Sequence, residues 1–549
     1  MISFCDVSFC YGEEDAEGRM DTCIEGMSFE IRAGECVVLC GRSGAGKSTV
    51  LRLIDGLAPA FYEGTLHGSV AVAGREPAAM TPEQRVRTFG VVFQDPRSQF
   101  FMNSVQDEIA FSAENIGLEP RVVQEKVREA AALLDIEPLL CRTVDALSAG
   151  QKQRVAIAAA LILSPAILIL DEPASNLDAE GCRILIGLLA EIKRRGTTVI
   201  ISEHRLHAFL GIADSFLHIE HGRAVHRWTA EEFACLPEDE LRRFGFRYPG
   251  MAELPLRRKK IRAAGTTVET AVTRAAAAST ETAYPAAEAA VKAVEKAAAG
   301  AAGAKTASAE KPEEKMRSAL CASNVTYLYK PVRAGVNGCG EKDREKDAAG
   351  LESVCGIRNI NLVFPHGSVT ALTGENGAGK TTLCKVLCGL LRQKSGSITL
   401  DGRELSCAQR RRISYFVMQD ADYQLYSDSI INELLLGREP SQDNKRRAEE
   451  ALELFRLQAV RNRHPASLSG GEKQRVVIAA AYCSDAEVFV FDEPTSGMDG
   501  EGLLSMAHWA DMLAQAGKTV IIITHDELLA DIACDYRVRL MKHPLKSYT

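Results

Sequence analysis

The sequence GRSGAGKS occupies Gly41–Ser48, directly after the apolar run CVVLC at Cys36–Cys40. It fits the pattern G-x-x-x-x-G-K-S, and the residues that follow, TVLRLIDGL, have helical character. A strand, a glycine-rich loop and a helix in this order form a phosphate cradle, because backbone N–H groups and the helix N-terminus face the phosphate oxygens. Lys47 is predicted to reach the β- and γ-phosphates, and the Ser48 hydroxyl is predicted to bind Mg²⁺.

The phosphate-loop pattern occurs twice in the chain. GENGAGKT at Gly374–Thr381 again follows a strand-like run, SVTALT. Three later motifs recur 321 residues apart: LSAGQKQR and LSGGEKQR (148 and 469), the Glu of DEP (172 and 493), and a His after an apolar run (204 and 525). We interpret this as one domain present in two copies, 1–247 and 318–549. The segment between them, 248–317, is rich in alanine and charged residues and is predicted to be a linker.

Each copy shows the pattern of an α/β domain. Runs rich in β-branched residues, such as TTVIIS and TVIIIT, alternate with helical stretches, which predicts a parallel sheet covered by helices. The N-terminal parts, 1–31 and 320–364, alternate apolar and polar residues instead, and each is predicted to form a small antiparallel sheet. Stretches rich in Glu, Lys, Ala and Leu at 105–140 and 430–457 predict a helical subdomain in each copy.

Composition argues against several classes of protein. The net charge of −8 and the pI near 5.9 argue against a dedicated nucleic-acid-binding protein. No run of about 18 apolar residues is present, and the N-terminus MISFCDVSFC lacks the features of a secretory signal. We therefore expect a cytosolic chain that reaches a membrane only through partners. The 16 cysteines include no C-x-x-C pair and are interpreted as reduced thiols, many of them buried.

Two acidic residues end the same strand in each copy. Asp171 and Asp492 close apolar runs, where a carboxylate is costly unless a cation meets it. Mg²⁺ held by the last residue of the phosphate loop would provide that cation. The next residues, Glu172 and Glu493, are placed to polarise an attacking water molecule; the alternative interpretation is that the acidic pair caps a following helix. With the phosphate loops, the pattern predicts hydrolysis of a nucleoside triphosphate.

The complete set of motifs resembles the ABC-transporter ATPases. It comprises a phosphate loop, a Gln loop (QDPRSQFF at Gln94, QDADYQLY at Gln419), the LSGGE/Q signature, DEP, a D-loop (SNLD, SGMD) and a late histidine. The resemblance implies two tandem P-loop NTPase domains, each with a RecA-like parallel core, an antiparallel β-subdomain and a helical subdomain. It also implies ATP and Mg²⁺ as cofactors. In that family two such domains pair head to tail, and each ATP lies between the phosphate loop of one copy and the signature of the other.

The resemblance assigns roles residue by residue. Tyr11 and Tyr329 resemble the aromatic residue that stacks on adenine, although an aromatic residue on a strand often only packs. The predicted catalytic residues are Glu172, His204, Glu493 and His525. The predicted Mg²⁺ ligands are Ser48, Gln94, Asp171, Thr381, Gln419 and Asp492. The predicted ATP-binding residues are Tyr11, Gly41, Ser43, Gly44, Gly46, Lys47, Ser48, Thr49, Ser148 and Gly150 in the first copy, and Tyr329, Gly374, Asn376, Gly377, Gly379, Lys380, Thr381, Thr382, Ser469 and Gly471 in the second.

One position departs from the family pattern. The first signature has Ala149 where the second has Gly470. The added methyl group lies where the backbone is expected to approach phosphate, and it could weaken the contact with the ATP held by Lys380. Because both copies retain the Glu, His, Lys and Gln residues, we predict two hydrolytic sites, which Ala149 could make unequal.

A finer resemblance is to the energy-coupling factor ATPases of vitamin importers. It is carried by QDPRSQFFMNSVQDEIAF at Gln94–Phe111 and SEHRL at Ser202–Leu206. It implies a motor on the cytoplasmic face of the membrane, with a transmembrane coupling subunit and small substrate-binding membrane subunits as partners, and no nucleic acid. Two alternatives stay open: the tandem ATPase of a sugar importer, and a soluble ABC protein that acts on ribosomes. The sequence does not predict the cargo, because substrate contacts would belong to the partners.

Overall fold

The structure is a computed structural model that describes residues 1–12, 22–251 without 176 and 249, 319–329, and 356–541 without 440 and 469. The predicted linker 248–317 therefore lies almost wholly outside the described residues, and the predicted domain boundaries stay predictions. The chain divides into two compact units. The first is Met1–Met251 together with Ser496–Leu503, and the second holds the rest of the described residues. Among the described helices, none is both long enough and apolar enough to cross a membrane.

The first copy begins with a three-stranded antiparallel sheet. Its strands are β1 (Ile2–Tyr11), β2 (Thr22–Ile31) and β4 (Gly64–Val72), in the order β2-β1-β4. The pairing of β1 with both of its neighbours is irregular near Asp6, which has a φ of +50°: the register against β2 shifts between Phe4 and Val7 and twice more before Cys10, and the register against β4 shifts between Cys5 and Ser8. The shift lets Phe4 and Phe9 reach the same core despite their odd separation.

The second sheet of this copy carries the phosphate loop. It consists of β3 (Cys36–Cys40), β5 (Phe89–Val92), β6 (Ile167–Asp171), β7 (Thr198–Ser202), β8 (Ser215–Glu220) and β9 (Arg223–Thr229), in the order β5-β6-β7-β3-β8-β9. All neighbours are parallel except β8 and β9, which pair antiparallel. Because β3, β6 and β7 are parallel neighbours, their carboxyl ends share one edge. The loops that follow these three strands therefore converge there.

Helices cover this sheet and form a separate helical part. The helices are α1 (Lys47–Ile54), α2 (Leu57–Ala60), α3 (Pro82–Thr88), α4 (Val105–Asn115), α5 (Pro120–Leu133), α6 (Ala149–Leu161), α7 (Ala179–Arg194), α8 (Ala230–Ala234) and α9 (Glu238–Arg243). Helices α4, α5 and α6 pack on one another, as predicted for the helical subdomain. Helix α6 is held there because its buried face carries Val155, Ala156 and Ile157.

The second copy repeats this architecture. Its strands are β10 (Ala319–Leu328), β11 (Gly356–Pro365), β12 (Ser368–Thr373), β13 (Ser395–Leu400), β14 (Arg403–Glu404), β15 (Ser414–Val417), β16 (Val488–Asp492), β17 (Thr519–Ile523) and β18 (Tyr536–Arg539). Its helices are α10 (Lys380–Leu387), α11 (Cys407–Ile413), α12 (Ile430–Leu435), α13 (Gln442–Leu454), α14 (Gly470–Tyr482), α15 (Gly500–Gln515) and α16 (Glu527–Ala533). The antiparallel sheet has the order β11-β10-β13-β14, and the parallel sheet has the order β15-β16-β17-β12-β18. The predicted fold class is confirmed in both copies.

One buried cluster in each copy joins the antiparallel sheet to the phosphate-loop helix. In the first copy, Phe4, Phe9, Val50, Leu53 and Ile169 belong to this cluster and are at most 2% exposed. In the second copy the corresponding cluster includes Leu320, Phe364, Leu383, Ile398 and Val490. Burying a side chain of this size contributes about 1.5–3 kcal/mol. The helix after each phosphate loop is therefore anchored by the core on the side away from its N-terminus.

The first copy continues beyond β8 with a segment that sequence analysis did not single out. In this segment Trp228, Phe244 and Phe246 surround His218, with ring centroids 5.8, 4.8 and 4.9 Å from that of the imidazole. Phe233 packs on Trp228 in turn. The described part of the second copy ends at Met541, two residues after β18, so it holds no counterpart of Ala230–Met251.

This aromatic cluster predicts a pH-dependent stability of the first copy. Burial lowers the pKa of His218 to about 4, with His226, Arg42 and Lys47 acting in the same direction and Glu220 opposing them. Because the folded pKa lies below the unfolded value near 6.5, the folded state is fully favoured above pH 6.5 and loses stability as the pH falls toward 4. We expect a loss on the order of 1 kcal/mol at pH 5.

The measurement is denaturant unfolding at pH 7.5 and pH 5, compared between the Trp509→Phe chain, in which Trp228 is the remaining tryptophan, and the same chain with His218→Phe, and followed by tryptophan fluorescence. The variant should lose less stability between the two pH values. The matched control His67→Gln, at an exposed position, should behave like the natural chain. An unchanged pH dependence in His218→Phe would contradict the assignment.

Candidate functional site

The phosphate-loop lysine of each copy is buried and held in the same way. Lys47 Nζ donates to the carbonyl oxygens of Gly41 and Arg42, both at 3.0 Å, and lies 3.3 Å from His204 Nε2. Burial lowers the pKa of Lys47, while the charges of Glu172 and Asp171 oppose that shift. In the second copy Lys380 Nζ contacts the Gly374 and Glu375 carbonyls at 2.7 and 3.1 Å and His525 Nε2 at 3.0 Å. Both lysines therefore lie in a cage that also contains the predicted histidine.

The first glycine of each loop is required by the backbone. Gly41 has a φ of +151°, and a Cβ atom there would lie 2.2 Å from the carbonyl oxygen of Ile219. Gly374 has a φ of +137°, and its Cβ would lie 2.2 Å from the carbonyl oxygen of Leu540. Any side chain would push the loop away from the neighbouring strand. The close approach of the two backbones positions the loop above the end of the sheet.

A hydroxyl and a carboxylate meet at the end of each phosphate loop. Ser48 Oγ donates to Asp171 Oδ2 at 2.8 Å, and Thr381 Oγ1 donates to Asp492 Oδ2 at 2.9 Å. Burial raises the pKa of both aspartates, and the charge of Glu172 raises that of Asp171 further. The nearby Ser202 hydroxyl lowers the pKa of Asp171. The buried Oδ1 atom of Asp171 has no hydrogen-bond partner within the described residues.

This chemistry fits a hard divalent cation. A hydroxyl oxygen and a buried carboxylate with an unsatisfied oxygen are the ligands that Mg²⁺ prefers, and the cation would remove the cost of burying the charge. Ser48 and Asp171, or Thr381 and Asp492, would hold it, and bound Mg²⁺ would neutralise charge on phosphate oxygens.

The glutamate after each aspartate has an unusual backbone conformation. Glu172 and Glu493 have φ values of +47° and +49°, in the left-handed region that non-glycine residues rarely adopt. Their amides are held by the carbonyl oxygens of Ser202 and Ile523, at 2.8 and 2.9 Å. Such a conformation costs about 1 kcal/mol or more and is concentrated at functional sites.

The alternative interpretation of the acidic pair as a helix cap is wrong in the first copy. Helix α7 begins at Ala179, seven residues after Glu172, and its N-cap is Asp178, whose side chain accepts from the Gly181 amide. The Glu172 carboxylate instead faces the site. Its Oε2 accepts from Gln94 Nε2 at 2.8 Å, and its Oε1 lies 3.5 Å from His204 Nε2. Burial raises the pKa of Glu172, and Lys47 and Arg247 lower it.

A buried acid that sequence analysis missed holds the histidine turn in the first copy. The carboxylate of Glu203, which is 2% exposed, accepts from the backbone amides of Ala174, His204 and Arg205 at 2.9, 2.8 and 3.1 Å. It thereby joins the turn that carries His204 to the turn that follows Glu172. Burial and the charges of Lys47 and Arg247 lower the pKa of His204 well below its ordinary value, so the imidazole is neutral.

In the second copy, the turn that carries His525 is joined to the turn after Glu493 by Asp526, the residue that follows the histidine rather than the one that precedes it. Asp526 accepts from the Thr495 hydroxyl at 3.2 Å, and the amide of His525 donates to Glu493 Oε2, also at 3.2 Å. The sequence signal was present, since ISEHR carries an acid before the histidine and ITHD carries one after it. It could not be interpreted without the fold, because the acid contacts a turn about 30 residues away.

The second glutamine of each Gln loop holds the start of the loop to the preceding strand. Gln99 accepts from the Phe93 amide and donates to the Val91 carbonyl, at 3.1 and 2.8 Å. Gln424 makes the matching pair of contacts with Met418 and Phe416. Gln94, predicted to bind Mg²⁺, contacts Glu172 in this structure, and Gln419 is exposed.

Buried glutamates fix the far end of each Gln loop. Glu108 Oε2 accepts from the amides of Phe101 and Met102 at 2.9 and 2.7 Å. Glu433 Oε2 accepts from the amides of Tyr426 and Ser427 at the same two distances. Both glutamates lie on helices of the helical subdomain, so each Gln loop joins the parallel sheet to that subdomain.

The predicted adenine-stacking tyrosines lie beside the first turn of the helix after each loop. Tyr11 Oη donates to Thr49 Oγ1 at 3.3 Å and accepts from Arg52 Nη1 at 3.0 Å. Tyr329 Oη lies 3.1 Å from Thr382 Oγ1. The contact pairs two predicted ATP-binding residues in each copy. It leaves Tyr329 42% exposed.

The signatures begin helices of the helical subdomains. Ser148 is the N-cap of α6 and forms a capping box with Gln151, while Ser469 lies outside the described residues. A Cβ atom at Gly470 would meet nothing within 4 Å, so the protein itself has room for the methyl group of Ala149 at the matching position. Gly150 and Gly471 both lie in the first turn of their helices, α6 and α14.

The D-loop of the second copy belongs to the first compact unit. Asp499 Oδ2 accepts from the amide of Ser43 in the first phosphate loop at 3.0 Å. Arg42 Nη1 donates to Glu501 Oε2 at 2.6 Å. Sequence analysis placed Ser43 in the site and named the D-loop motif, but it assigned no role to Asp499 or Glu501.

Comparison with known proteins agrees with this geometry. The family described as "ABC transporter" matches residues 24–175 and 357–496, once in each copy. A "Putative ABC transporter ATP-binding protein" of Treponema denticola is 31% identical over 546 residues, covering 100% of this chain and 96% of the relative. The "Putative HMP/thiamine import ATP-binding protein YkoD" of Bacillus subtilis is 29% identical and covers 97% of this chain and 88% of the relative.

A solved structure matches a part of this chain that is about as long as one copy. It is cbiO1 of Clostridium perfringens, described as part of the ABC transporter complex cbiONQ; it is 28% identical, covers 46% of this chain and 97% of that one, and has a TM-score of 0.38. The family match and the full-length relative decide the assignment. The chain belongs to the ABC transporter family of ATP-binding proteins and carries two copies of the domain, an ATPase coupled to transport.

Proposed function

We propose that this chain is the ATP-hydrolysing motor of a membrane importer of the energy-coupling factor type, for a vitamin or related micronutrient. Two composite sites would each bind ATP and Mg²⁺. The observation that carries the proposal is the duplicated geometry, since each copy has the same lysine cage, hydroxyl–aspartate pair and glutamate–histidine pair.

Each residue has a role in this proposal. Lys47 and Lys380 bind the β- and γ-phosphates, and His204 and His525 contact the γ-phosphate in place of the lysines that they contact in this structure. Glu172 and Glu493 orient and polarise the attacking water. The aspartates and the loop hydroxyls hold Mg²⁺. The contacts of Asp499 and Glu501 within the first compact unit support a composite site, because they tie the D-loop of one copy to the phosphate loop of the other.

The two-site proposal predicts that both glutamates are needed for full turnover. Glu172→Gln and Glu493→Gln keep the shape of the side chain but remove the base, and loss of a general base costs about 10²–10⁴-fold at its own site. Each single variant should remove a substantial part of the total ATPase activity, about half if the two sites turn over equally, and only the double variant should be nearly inactive. Steady-state phosphate release measures this.

Glu191→Gln, a partly exposed position on α7 that pairs with Arg194 and Arg195, is the matched control and should keep full activity. Nucleotide binding, measured by fluorescence titration, should persist in all variants. If either Glu172→Gln or Glu493→Gln left turnover unchanged, only one site would hydrolyse ATP and the proposal would fail.

Glu203 is predicted to position the first site through its three buried backbone contacts. Glu203→Ala leaves those amides without an acceptor, whereas Glu203→Gln retains one carbonyl oxygen. In the Glu493→Gln background, which isolates the first site, Glu203→Ala should lower the ATPase rate about 10-fold or more, with a smaller effect for Glu203→Gln. A lost buried acceptor costs about 1–3 kcal/mol.

Circular dichroism at the assay temperature would show that Glu203→Ala is folded. In the reciprocal Glu172→Gln background the same substitution should change the remaining activity little. Equal losses in both backgrounds would contradict a role confined to the first site.

Exposed aromatic residues at the Gln loops support docking of a membrane subunit. Phe101 is 74% exposed and stacks on Phe111, and Tyr426 is 76% exposed at the matching position of the second copy. The amides of both residues are fixed by buried glutamates, so the rings are presented on ordered backbone. Exposed aromatic side chains of this kind are frequent anchors of protein interfaces.

We expect Phe101→Ser and Tyr426→Ser to weaken co-purification with integral membrane proteins by about 10-fold each, since loss of an interface anchor costs about 1–2 kcal/mol or more. Phe61→Ser, which removes an aromatic side chain 72% exposed and distant in sequence from either Gln loop, is the matched control. ATPase activity of the detergent-free chain should be retained in all three.

Identification of the co-purified proteins separates the remaining functions. A coupling subunit with small substrate-binding membrane proteins supports the proposed importer, in line with the import function named for the B. subtilis relative. Sugar-permease subunits, or salt-sensitive co-sedimentation with ribosomes and no membrane protein, would overturn it in favour of one of the alternatives.

A further inference from the structure

The helix after the first phosphate loop carries an arginine that contacts two tyrosines. Arg52 lies on α1, and its Nη1 donates to Tyr11 Oη at 3.0 Å. Its guanidinium carbon lies 4.1 Å from the ring centroid of Tyr62, within the range of a cation–π contact. The Tyr11 hydroxyl also donates to Thr49 Oγ1 at 3.3 Å. These contacts fix Tyr11 to the helix that follows the phosphate loop.

Strand pairing places Tyr62 beside Tyr11. In the ladder of β1 and β4, Tyr11 lies opposite Gly64. The carbonyl oxygen of Glu63 accepts from the amide of Gly12 at 3.2 Å, which extends the pairing by one residue on each side. The next residue is Tyr62, whose ring meets that of Tyr11 at 82° with the centroids 6.4 Å apart. We call Arg52 and Tyr62 together the arginine–tyrosine clamp.

The second copy has other residues at the positions of the clamp. Lys385 occupies the place of Arg52, since each lies five residues after the lysine of its phosphate loop. Residues 388–394, between α10 and β13, read CGLLRQK and include no aromatic residue in the place of Tyr62. By sequence, therefore, the second copy has neither member of the clamp beside its predicted stacking residue, Tyr329.

We propose that Arg52 and Tyr62 are positioning residues of the first nucleotide site, which hold the ring of Tyr11 ready to stack on the adenine base. The inference rests on the proposed function and on the predicted role of Tyr11. A ring that is already held by a hydrogen bond and a neighbouring ring loses less freedom when a base stacks on it. The first site should therefore gain more affinity from the adenine base than the second, in which Tyr329 is 42% exposed.

The base-dependent part of the affinity distinguishes positioning from general packing. Tyr11 and Tyr62 also pack on the buried cluster of the first copy, so removing a ring removes some packing as well. Lost packing would disturb α1, which carries Lys47, and would weaken the binding of phosphates and base alike. A lost positioning contact weakens only the binding of ligands that contain the base.

The test compares ADP with pyrophosphate, each with Mg²⁺, by isothermal titration calorimetry on the full chain carrying Lys380→Ala. This substitution removes the phosphate-binding lysine of the second site. Tyr62→Ala and Arg52→Met should each raise the Kd for ADP about 5-fold and leave the Kd for pyrophosphate within about 2-fold. Tyr62→Phe retains the ring over the guanidinium and should keep both values within about 2-fold. His67→Ala, at an exposed position on β4, is the matched control and should change neither value.

The reciprocal Lys47→Ala chain isolates the second site. There, Tyr62→Ala should leave both dissociation constants within about 2-fold. An unchanged Kd for ADP in the first-site chain, an equal rise for ADP and pyrophosphate, or equal losses in the two backgrounds would overturn the inference. If the Lys380→Ala chain bound no ADP, the proposed function and this inference would both fail. ADP binding that is insensitive to Tyr62→Ala would overturn this inference alone.

Discussion

The architecture of each copy depends on burying one lysine ammonium at the end of a sheet. Lys47 and Lys380 are removed from most of the solvent, so their charge must be met by backbone carbonyls and nearby carboxylates. The strand order satisfies this requirement, because the neighbouring parallel strands deliver the aspartate–glutamate pair and the histidine to the same edge. The glycine at the start of each loop is the condition for that close approach.

Motif chemistry predicted the fold class and most of the residues that converge. The phosphate loops, DEP sequences and late histidines have local patterns whose meaning follows from backbone geometry and charge. Glu203 and Asp526 were not predictable in this way. Each acts on a turn far along the chain, and a single buried acid gives no periodic signal. The assignment of Ser469 as an ATP-binding residue rests on the family resemblance alone.

The two copies hold the turn that carries the histidine through different contacts. In the first, Glu203 holds the histidine turn and leaves both oxygens of Glu172 to face Gln94 and His204. In the second, Glu493 itself accepts the histidine amide, so the predicted base also serves as a backbone acceptor. The glutamate–histidine pairs of the two copies are therefore held by different contacts. The difference does not depend on Ala149, the position at which the signatures visibly differ.

The anchoring of the Gln loops has a mechanical consequence. Each loop is clamped to a strand by its second glutamine and to the helical subdomain by a buried glutamate, leaving little freedom to stretch between the two attachments. In the first copy, a displacement of the exposed Phe101 ring would be passed through this clamped backbone to the Gln94 side-chain amide, which contacts Glu172. Under the proposed function, nucleotide binding and docking of a membrane subunit at this ring would then affect each other reciprocally.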